Sequence, residues 1–179
     1  MARHSEFNKT EAKTCFGASL LPFRTSCKGP VNTSKVGIFD GEGDDIVEEA
    51  INYYRYNVFF RSFEVQGGAD RVLIYLTLFI SSCLARIEKI SGVKDAEKAL
   101  QAFAWEGIAV PGQQGFPFNA FFEAAKSPGE ADDFKAYLKQ LREETAMRLV
   151  ARVYGGDGAP SKLWVPGFSR RKFMNATMA

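Results

Sequence analysis

The residues of this chain that could carry out chemistry include a glycine-rich segment at residues 107–112. Its sequence, GIAVPG, has the outer glycine spacing of a phosphate-binding P-loop. Gln113 and Gln114 stand where such a loop needs lysine and Ser/Thr, and Pro111 removes one backbone donor. The segment is therefore predicted to be a structural turn and not a nucleotide site.

A second candidate is a group of four carboxylates at the start of a helical pattern: Asp44, Asp45, Glu48 and Glu49. Pairs spaced four residues apart share a helical face and could serve a metal ion or acid–base chemistry. The single histidine, His4, is far away in the sequence, and the carboxylates lie off the apolar stripe. The sequence therefore favours a solvated helix start, with Asp44 or Asp45 as the N-cap.

The three cysteines, Cys15, Cys27 and Cys83, are far apart and form no C-x-x-C pair. A disulfide framework or zinc ribbon is therefore not expected. With one histidine, a His-based catalytic triad is not expected either. The composition predicts a protein that is not an enzyme and that uses no metal or cofactor.

The composition is that of a soluble, globular chain. Its 179 residues are 46% hydrophobic and 25% charged, with a net charge of +2, and this length predicts a single domain. The longest apolar run, residues 72–85, is shorter than the roughly 20 residues of a membrane span. We therefore predict a buried core helix, no membrane segment and a cytoplasmic location.

The hydrophobic periodicity predicts an all-α fold in three parts. Residues 1–43 form an extended, irregular arm that covers the body and has room for a short strand or hairpin. Residues 44–154 form the helical body, and residues 155–179 a basic, aromatic C-terminal segment. Apolar residues at helical spacing predict helices over residues 45–60, 69–89, 94–106 and 131–154.

Two segments indicate contacts with other molecules. One is the loop that follows the glycine-rich turn, with four phenylalanines in seven residues, and the other is the last twenty residues, 160–179, with aromatic and basic residues but no acid. Each aromatic side chain could instead belong to the core. The candidate contact residues are Phe116, Pro117, Asn119, Trp164, Arg171, Lys172, Phe173 and Met174. Nucleic-acid binding by the basic C-terminus is the alternative function.

The order of segments along the whole chain resembles subunit 3, the 21 kDa subunit, of the actin-related protein 2/3 complex. The similar stretches are ASLLP at 18–22 with KGP at 28–30, DIVEEAI at 45–51, NVFF at 57–60, ADRVLIY at 69–75, PG at 111–112 with GFPFN at 115–119, YLKQLREET at 137–145, PSKLW at 160–164 and KFMN at 172–175. The chain departs from the family pattern at Arg3, at Leu163 and in a longer acidic stretch at residues 36–44.

The resemblance implies an all-helical, non-catalytic subunit of a seven-subunit assembly that nucleates branched actin filaments. Its main partner would be the actin-related protein 3 subunit, with actin-related protein 2 contacted in the active state. Other subunits would also be contacted, and actin filaments through the complex, in the cytoplasm and the actin cytoskeleton. ATP would belong to the actin-related subunits, and neither nucleic acid nor membrane is an expected partner.

Overall fold

The computed structural model describes residues 1–32 and 43–178. Its four α-helices confirm the predicted helices to within three residues at each end. Three single-turn 3-10 helices and a two-stranded antiparallel sheet complete the described elements. The helices are α1 (Ile46–Asn57), α2 (Gly68–Ile87), α3 (Val93–Trp105) and α4 (Glu130–Tyr154); the 3-10 helices are Glu6–Lys9, Asn119–Phe121 and Phe173–Asn175; the strands are β1 (Thr14–Cys15) and β2 (Ala18–Ser19).

The fold is mostly helical, so the all-α prediction needs a small correction. β1 and β2 pair Thr14 with Ser19 and Cys15 with Ala18, which is the hairpin left open for the arm. The left-handed backbone of Phe16 and Gly17 turns the chain between the strands. The predictions for the stretch 36–44 lie outside the described residues, except for residues 43 and 44.

Helix α2 is the centre of the core and contacts α1, α3 and α4. Residues 72–80 are buried on every side of the helix, as the continuous apolar pattern indicated, and Cys83 is buried as well. By length and composition alone, α2 could cross a membrane. In this structure the other helices, the hairpin and the 3-10 helix at Phe173–Asn175 cover it, so it is a core helix.

The start of α1 corrects the prediction of a solvated carboxylate cluster. Asp45, one of the two predicted caps, caps the helix by accepting a hydrogen bond from the Glu48 amide. However, Asp45 and Glu49 are buried, because the arm and α4 cover this end of α1. Arg148 of α4 donates to both carboxylate oxygens of Asp45, at 2.7 and 2.8 Å. The carboxylates therefore fasten the arm to the body.

The two buried carboxylates of α1 have pKa values shifted in opposite directions. Burial alone raises the pKa of Asp45, but hydrogen bonds from Arg148 and from the Glu48 and Arg24 amides outweigh it. The pKa of Asp45 therefore lies below its ordinary value. Burial also raises the pKa of Glu49, and its bonds from Ser5 and the Glu6 amide do not compensate, so this pKa stays raised.

Polar side chains of the helices hold the arm through its backbone. An irregular segment that covers a core needs partners for its buried amide and carbonyl groups. Here the helices supply them at intervals along the arm. The pairs are Asp70 with the Ser5 amide (2.8 Å), Glu49 with the Glu6 amide (2.8 Å), Glu130 with the Phe16 amide (2.5 Å), Tyr137 with the Leu21 carbonyl (2.9 Å), Asp45 with the Arg24 amide (3.0 Å) and Gln140 with the Val31 amide (2.8 Å).

The N-terminus of α2 packs directly against the hairpin. A Cβ atom at Gly68 would lie 2.4 Å from the Ser19 hydroxyl and 2.9 Å from the Gly17 carbonyl, so only glycine fits there. One turn later, Arg71 donates to the Gly17 carbonyl at 3.0 Å and to the Phe121 carbonyl at 2.5 Å. Helix α2 thereby fixes both the hairpin and the phenylalanine-rich loop.

Candidate interaction surface

The C-terminal segment folds back onto α1 and α2 through its aromatic residues. Trp164 stacks on Tyr54 with ring centroids 5.9 Å apart, and Phe168 meets both rings edge-on. Further along, Ser81 donates to the Arg171 carbonyl at 2.7 Å, and Phe173 is fully buried. The segment is therefore docked on its own chain, which was one of the two possibilities left open by the sequence.

The phenylalanine-rich loop is also anchored in the core. Phe116 is buried, stacks on Tyr75 at 6.0 Å and meets Phe122 edge-on at 4.9 Å. Phe118 is half-buried and contacts Phe173 at 5.8 Å. This contact joins the loop to the C-terminal segment, so the structure brings the two predicted groups of candidate residues together.

The eight candidate residues divide into three groups by exposure. Phe116, Trp164 and Phe173 are buried within the chain, and Pro117 and Met174 are half-buried. Asn119, Arg171 and Lys172 are exposed. As placed here, the buried aromatic rings position the loop and the tail, while the exposed polar and charged side chains are accessible to a partner.

Asn119 has a structural part in the loop although it is exposed. Its side-chain oxygen accepts from the Gly112 amide at 2.8 Å, and its side-chain nitrogen donates to the Phe116 carbonyl at 3.1 Å. These bonds close the turn at residues 112–119, which directly follows the segment compared with a P-loop. Gly112 and Gly115, both at φ +88°, supply the left-handed backbone that this turn needs. The glycines thus serve the turn geometry.

His4 and the buried carboxylates are engaged in structure and not in a catalytic arrangement. His4 Nδ1 lies 2.8 Å from the carboxylate of Asp70, which also accepts from the Ser5 and Gln66 amides. Within residues 1–32 and 43–178, no three His, Cys, Asp or Glu side chains are grouped so that they could hold a metal ion. The exposed part of the loop and of the C-terminal segment provides contact area and charge for a partner.

Comparison with known proteins decides the family. The model of the family described as P21-Arc, the ARP2/3 complex ARPC3 (21 kDa) subunit, matches residues 1–178. The chain is 42% identical over 180 residues to actin-related protein 2/3 complex subunit 3 of Arabidopsis thaliana, covering 99% of both chains. It is 41% identical over 179 residues to the protein of the same name in Schizosaccharomyces pombe, again with 99% of both chains covered.

The chain belongs to the ARP2/3 complex 21 kDa subunit family. A third relative with the subunit 3 name, from Dictyostelium discoideum, is 39% identical over 180 residues. The predicted family is thereby confirmed. It is a family of structural, non-catalytic subunits, and the family gives no support to the alternative of nucleic-acid binding.

The sequence did not indicate that two further residues, Arg3 and Leu163, lie together in one cleft of this 21 kDa subunit. Arg3 lies 4.8 Å from the centre of the Tyr56 ring, and Leu163 lines the same cleft. Both are positions where the chain departs from the family pattern. Their proximity could not be read from the sequence, because the fold brings together segments that are more than 100 residues apart.

Proposed function

We propose that this chain is a structural subunit of a seven-subunit actin-related protein 2/3 complex that nucleates branched actin filaments. The observation that carries the proposal is the match of the family model to residues 1–178, with curated relatives covered over 99% of their length. The chain contributes contact area to the complex and does not catalyse a reaction. It works in the cytoplasm, in the actin cytoskeleton.

The partners are proposed from the family resemblance. The main partner is the actin-related protein 3 subunit, and actin-related protein 2 is contacted in the active state. The chain touches other subunits as well, and reaches actin filaments through the complex. Nucleotide chemistry belongs to the actin-related subunits, which agrees with the lack of a P-loop lysine after Gly112.

The proposed mechanism is a difference in contact area between two arrangements of subunits. A subunit can shift such an equilibrium only by the difference between its binding free energies for the two states. Arg171, Lys172 and Asn119 are exposed. Their side chains can contact a partner in one arrangement and not in the other. The candidate contact residues Phe116, Pro117, Trp164, Phe173 and Met174 support these contacts by holding the loop and the tail in place.

The function is tested by adding the chain to a complex that lacks its 21 kDa subunit. We expect the added chain to enter the complex and to raise the number of branches per length of actin filament in an activator-stimulated assembly assay. The matched control is the Arabidopsis thaliana relative, added at the same concentration. A chain that does not enter the complex, while the control relative does, would contradict the proposal.

A further inference from the structure

Two neighbouring clefts lie where the end of α1 meets the N-terminal and C-terminal segments. The first has a volume of about 490 Å³ and the second about 350 Å³. Phe168 of the first cleft contacts Phe59 of the second at 6.2 Å, so they form one continuous surface. We call this surface the basic–aromatic face. Its principal residues are Arg3, Arg55, Tyr56, Phe59, Arg61, Leu163, Arg171 and Lys172.

The basic–aromatic face carries positive charge that the described part of the chain does not neutralise. Neither cleft is lined by an Asp or Glu. Arg152 is paired with Glu48, and Arg170 with Glu88. The other five cations have no carboxylate within 4.0 Å among residues 1–32 and 43–178; they are Arg3, Arg55, Arg61, Arg171 and Lys172.

This local surplus exceeds the charge of the whole chain, which is only +2. The remainder of the chain therefore carries a small net negative charge, and the acids that border the face, Glu48 and Glu88, are paired with Arg152 and Arg170. A concentration of one sign of charge raises the local potential and favours the approach of the opposite sign. The face is electrostatically complementary to a surface rich in Asp and Glu.

The same face exposes large apolar side chains beside the cations. Phe59 is 56% exposed, Leu163 57% and Tyr56 37%. The Arg171 guanidinium lies 5.2 Å from the centre of the Phe59 ring, and the Arg3 and Arg55 guanidinium groups lie 4.8 and 4.7 Å from the Tyr56 ring. Arginine and aromatic residues are enriched in protein–protein interfaces.

The backbone under these side chains is firmly held. The Ser81 hydroxyl binds the Arg171 carbonyl, and Phe173 is buried immediately after Lys172. The Asn57 side chain binds both the amide and the carbonyl of Arg3. Little order has to be gained when a partner docks on such a surface, which lowers the entropic cost of binding.

We propose that the basic–aromatic face binds an acidic surface of a folded neighbouring subunit. Carboxylates of that subunit pair with Arg61, Arg171 and Lys172, and an apolar side chain covers Phe59. The inference rests on the proposed function, since the neighbour belongs to the same complex. Nucleic acid fits less well, because arginines already cover the rings of Tyr56 and Phe59 on which bases would stack.

The test compares two triple charge reversals that change the net charge equally. The test variant is Arg61→Glu, Arg171→Glu and Lys172→Glu. The control variant is Lys94→Glu, Lys98→Glu and Lys135→Glu, at exposed positions on α3 and α4 away from the face. Each tagged chain is isolated with its complex at about 0.15 M salt and the copurified subunits are quantified. Thermal unfolding of the isolated variants shows that both are folded.

We expect the test variant to recover at least about tenfold less of the other subunits, since like charges would now oppose each other. The control variant should recover as much as the unaltered chain. In the unaltered complex, a carbodiimide should link Lys172 to an Asp or Glu of another subunit.

Four outcomes would overturn the inference while leaving the proposed function intact. Full recovery with the test variant would show that the face is not an interface. Equal loss with both variants would show that charge acts without regard to position. Linkage of Lys172 to an unfolded acidic segment, or nuclease-sensitive recovery of nucleic acid, would identify a different occupant. If the unaltered chain recovered no other subunit, the proposed function itself would fail.

Discussion

At the scale of single residues, the hydrogen-bond partner of a buried polar group decides what that group contributes to stability. Tyr54 and Tyr137 are both fully buried. The Tyr137 hydroxyl donates to the Leu21 carbonyl at 2.9 Å, whereas the Tyr54 hydroxyl has no hydrogen-bond partner among the described residues. A buried hydroxyl without a partner costs free energy, whereas one with a partner compensates its desolvation.

Replacing each tyrosine with phenylalanine should therefore have different effects. We expect Tyr54→Phe to leave the free energy of unfolding unchanged or to raise it by up to about 1 kcal/mol. Tyr137→Phe strands the buried Leu21 carbonyl and should lower the free energy of unfolding by about 1 to 2 kcal/mol. Urea unfolding of both variants measures the difference, and equal losses would contradict this assignment.

The two buried carboxylates of α1 should make the stability of the fold depend on pH in opposite directions. The pKa of Asp45 is lowered from its ordinary 3.8, so its contribution to stability is present above that pH and is lost as the pH falls through the folded-state pKa. The pKa of Glu49 is raised from its ordinary 4.5, so its protonated form is favoured. That contribution is lost as the pH rises through the folded-state pKa.

Amide substitutions at these two positions should separate the effects. Asp45→Asn breaks a buried ion pair with Arg148 and should cost about 3 kcal/mol at pH 7, with a smaller cost below about pH 4. Glu49→Gln should cost less than about 1 kcal/mol at pH 7 and should gain relative to the unaltered chain as the pH rises above about 4.5. Urea unfolding of both variants at pH 7 and at about pH 4 measures these changes in the free energy of unfolding. A cost for Glu49→Gln that grows with pH would be inconsistent with the raised pKa.

At the scale of elements, the N-terminal arm depends on the helices for its structure. Its single-turn helix and two-residue strands satisfy few of its backbone groups. Several others bond to side chains of α1, α2 and α4, and Glu49 and Asp70 also bind the side chains of Ser5 and His4. The arm and the helices therefore stabilise each other.

Deleting residues 1–9 should destabilise the body although these residues contribute little to its core. Glu49, Asp70 and Asn57 would lose hydrogen-bond donors at buried positions, and each loss costs about 1 to 3 kcal/mol. We expect a combined loss of more than about 3 kcal/mol in urea unfolding. Deleting residues 1–2 is the control and should have little effect, because Met1 is fully exposed. An unchanged unfolding midpoint for the longer deletion would refute this role of the arm.

The sequence predicted the helices and an irregular, covering arm with a short hairpin, but it did not predict the contacts that hold the arm, for a physical reason. Helical periodicity is a local signal, and the apolar residues of α1 to α4 show it over 12 or more residues each. The hydrogen-bond partners of Asp45 and Glu49 lie tens of residues away in the sequence. The burial of these two carboxylates therefore could not be predicted from the residues around them. The basic–aromatic face was missed for the same reason, since Arg3 and Leu163 meet only in the fold.

At the scale of the whole molecule, the buried aromatic residues close the core within the chain. Trp164, Phe168 and Phe173 of the C-terminal segment belong to the same hydrophobic cluster as α2. The surface left for partners is charged and polar, with a few exposed apolar side chains such as Phe59 and Leu163. A subunit built this way does not need its partners in order to fold.

The isolated chain should therefore fold by itself. We expect a cooperative thermal transition in calorimetry, with equal calorimetric and van't Hoff enthalpies, for a monomer in dilute solution. Trp164→Ala should lower the free energy of unfolding by about 3 to 5 kcal/mol, because it removes a buried aromatic ring. A chain that is unfolded until partners are added would contradict a closed core.

Copurification tests most directly whether this protein acts as a structural subunit of an actin-nucleating complex. The tagged chain is isolated from cytosolic extract of its own cells, and the copurified proteins are identified and quantified by mass spectrometry. We expect both actin-related subunits and four other small subunits, each in equal amount to the tagged chain. Recovery of the chain without the other subunits, whether alone or with nucleic acid, would contradict this role.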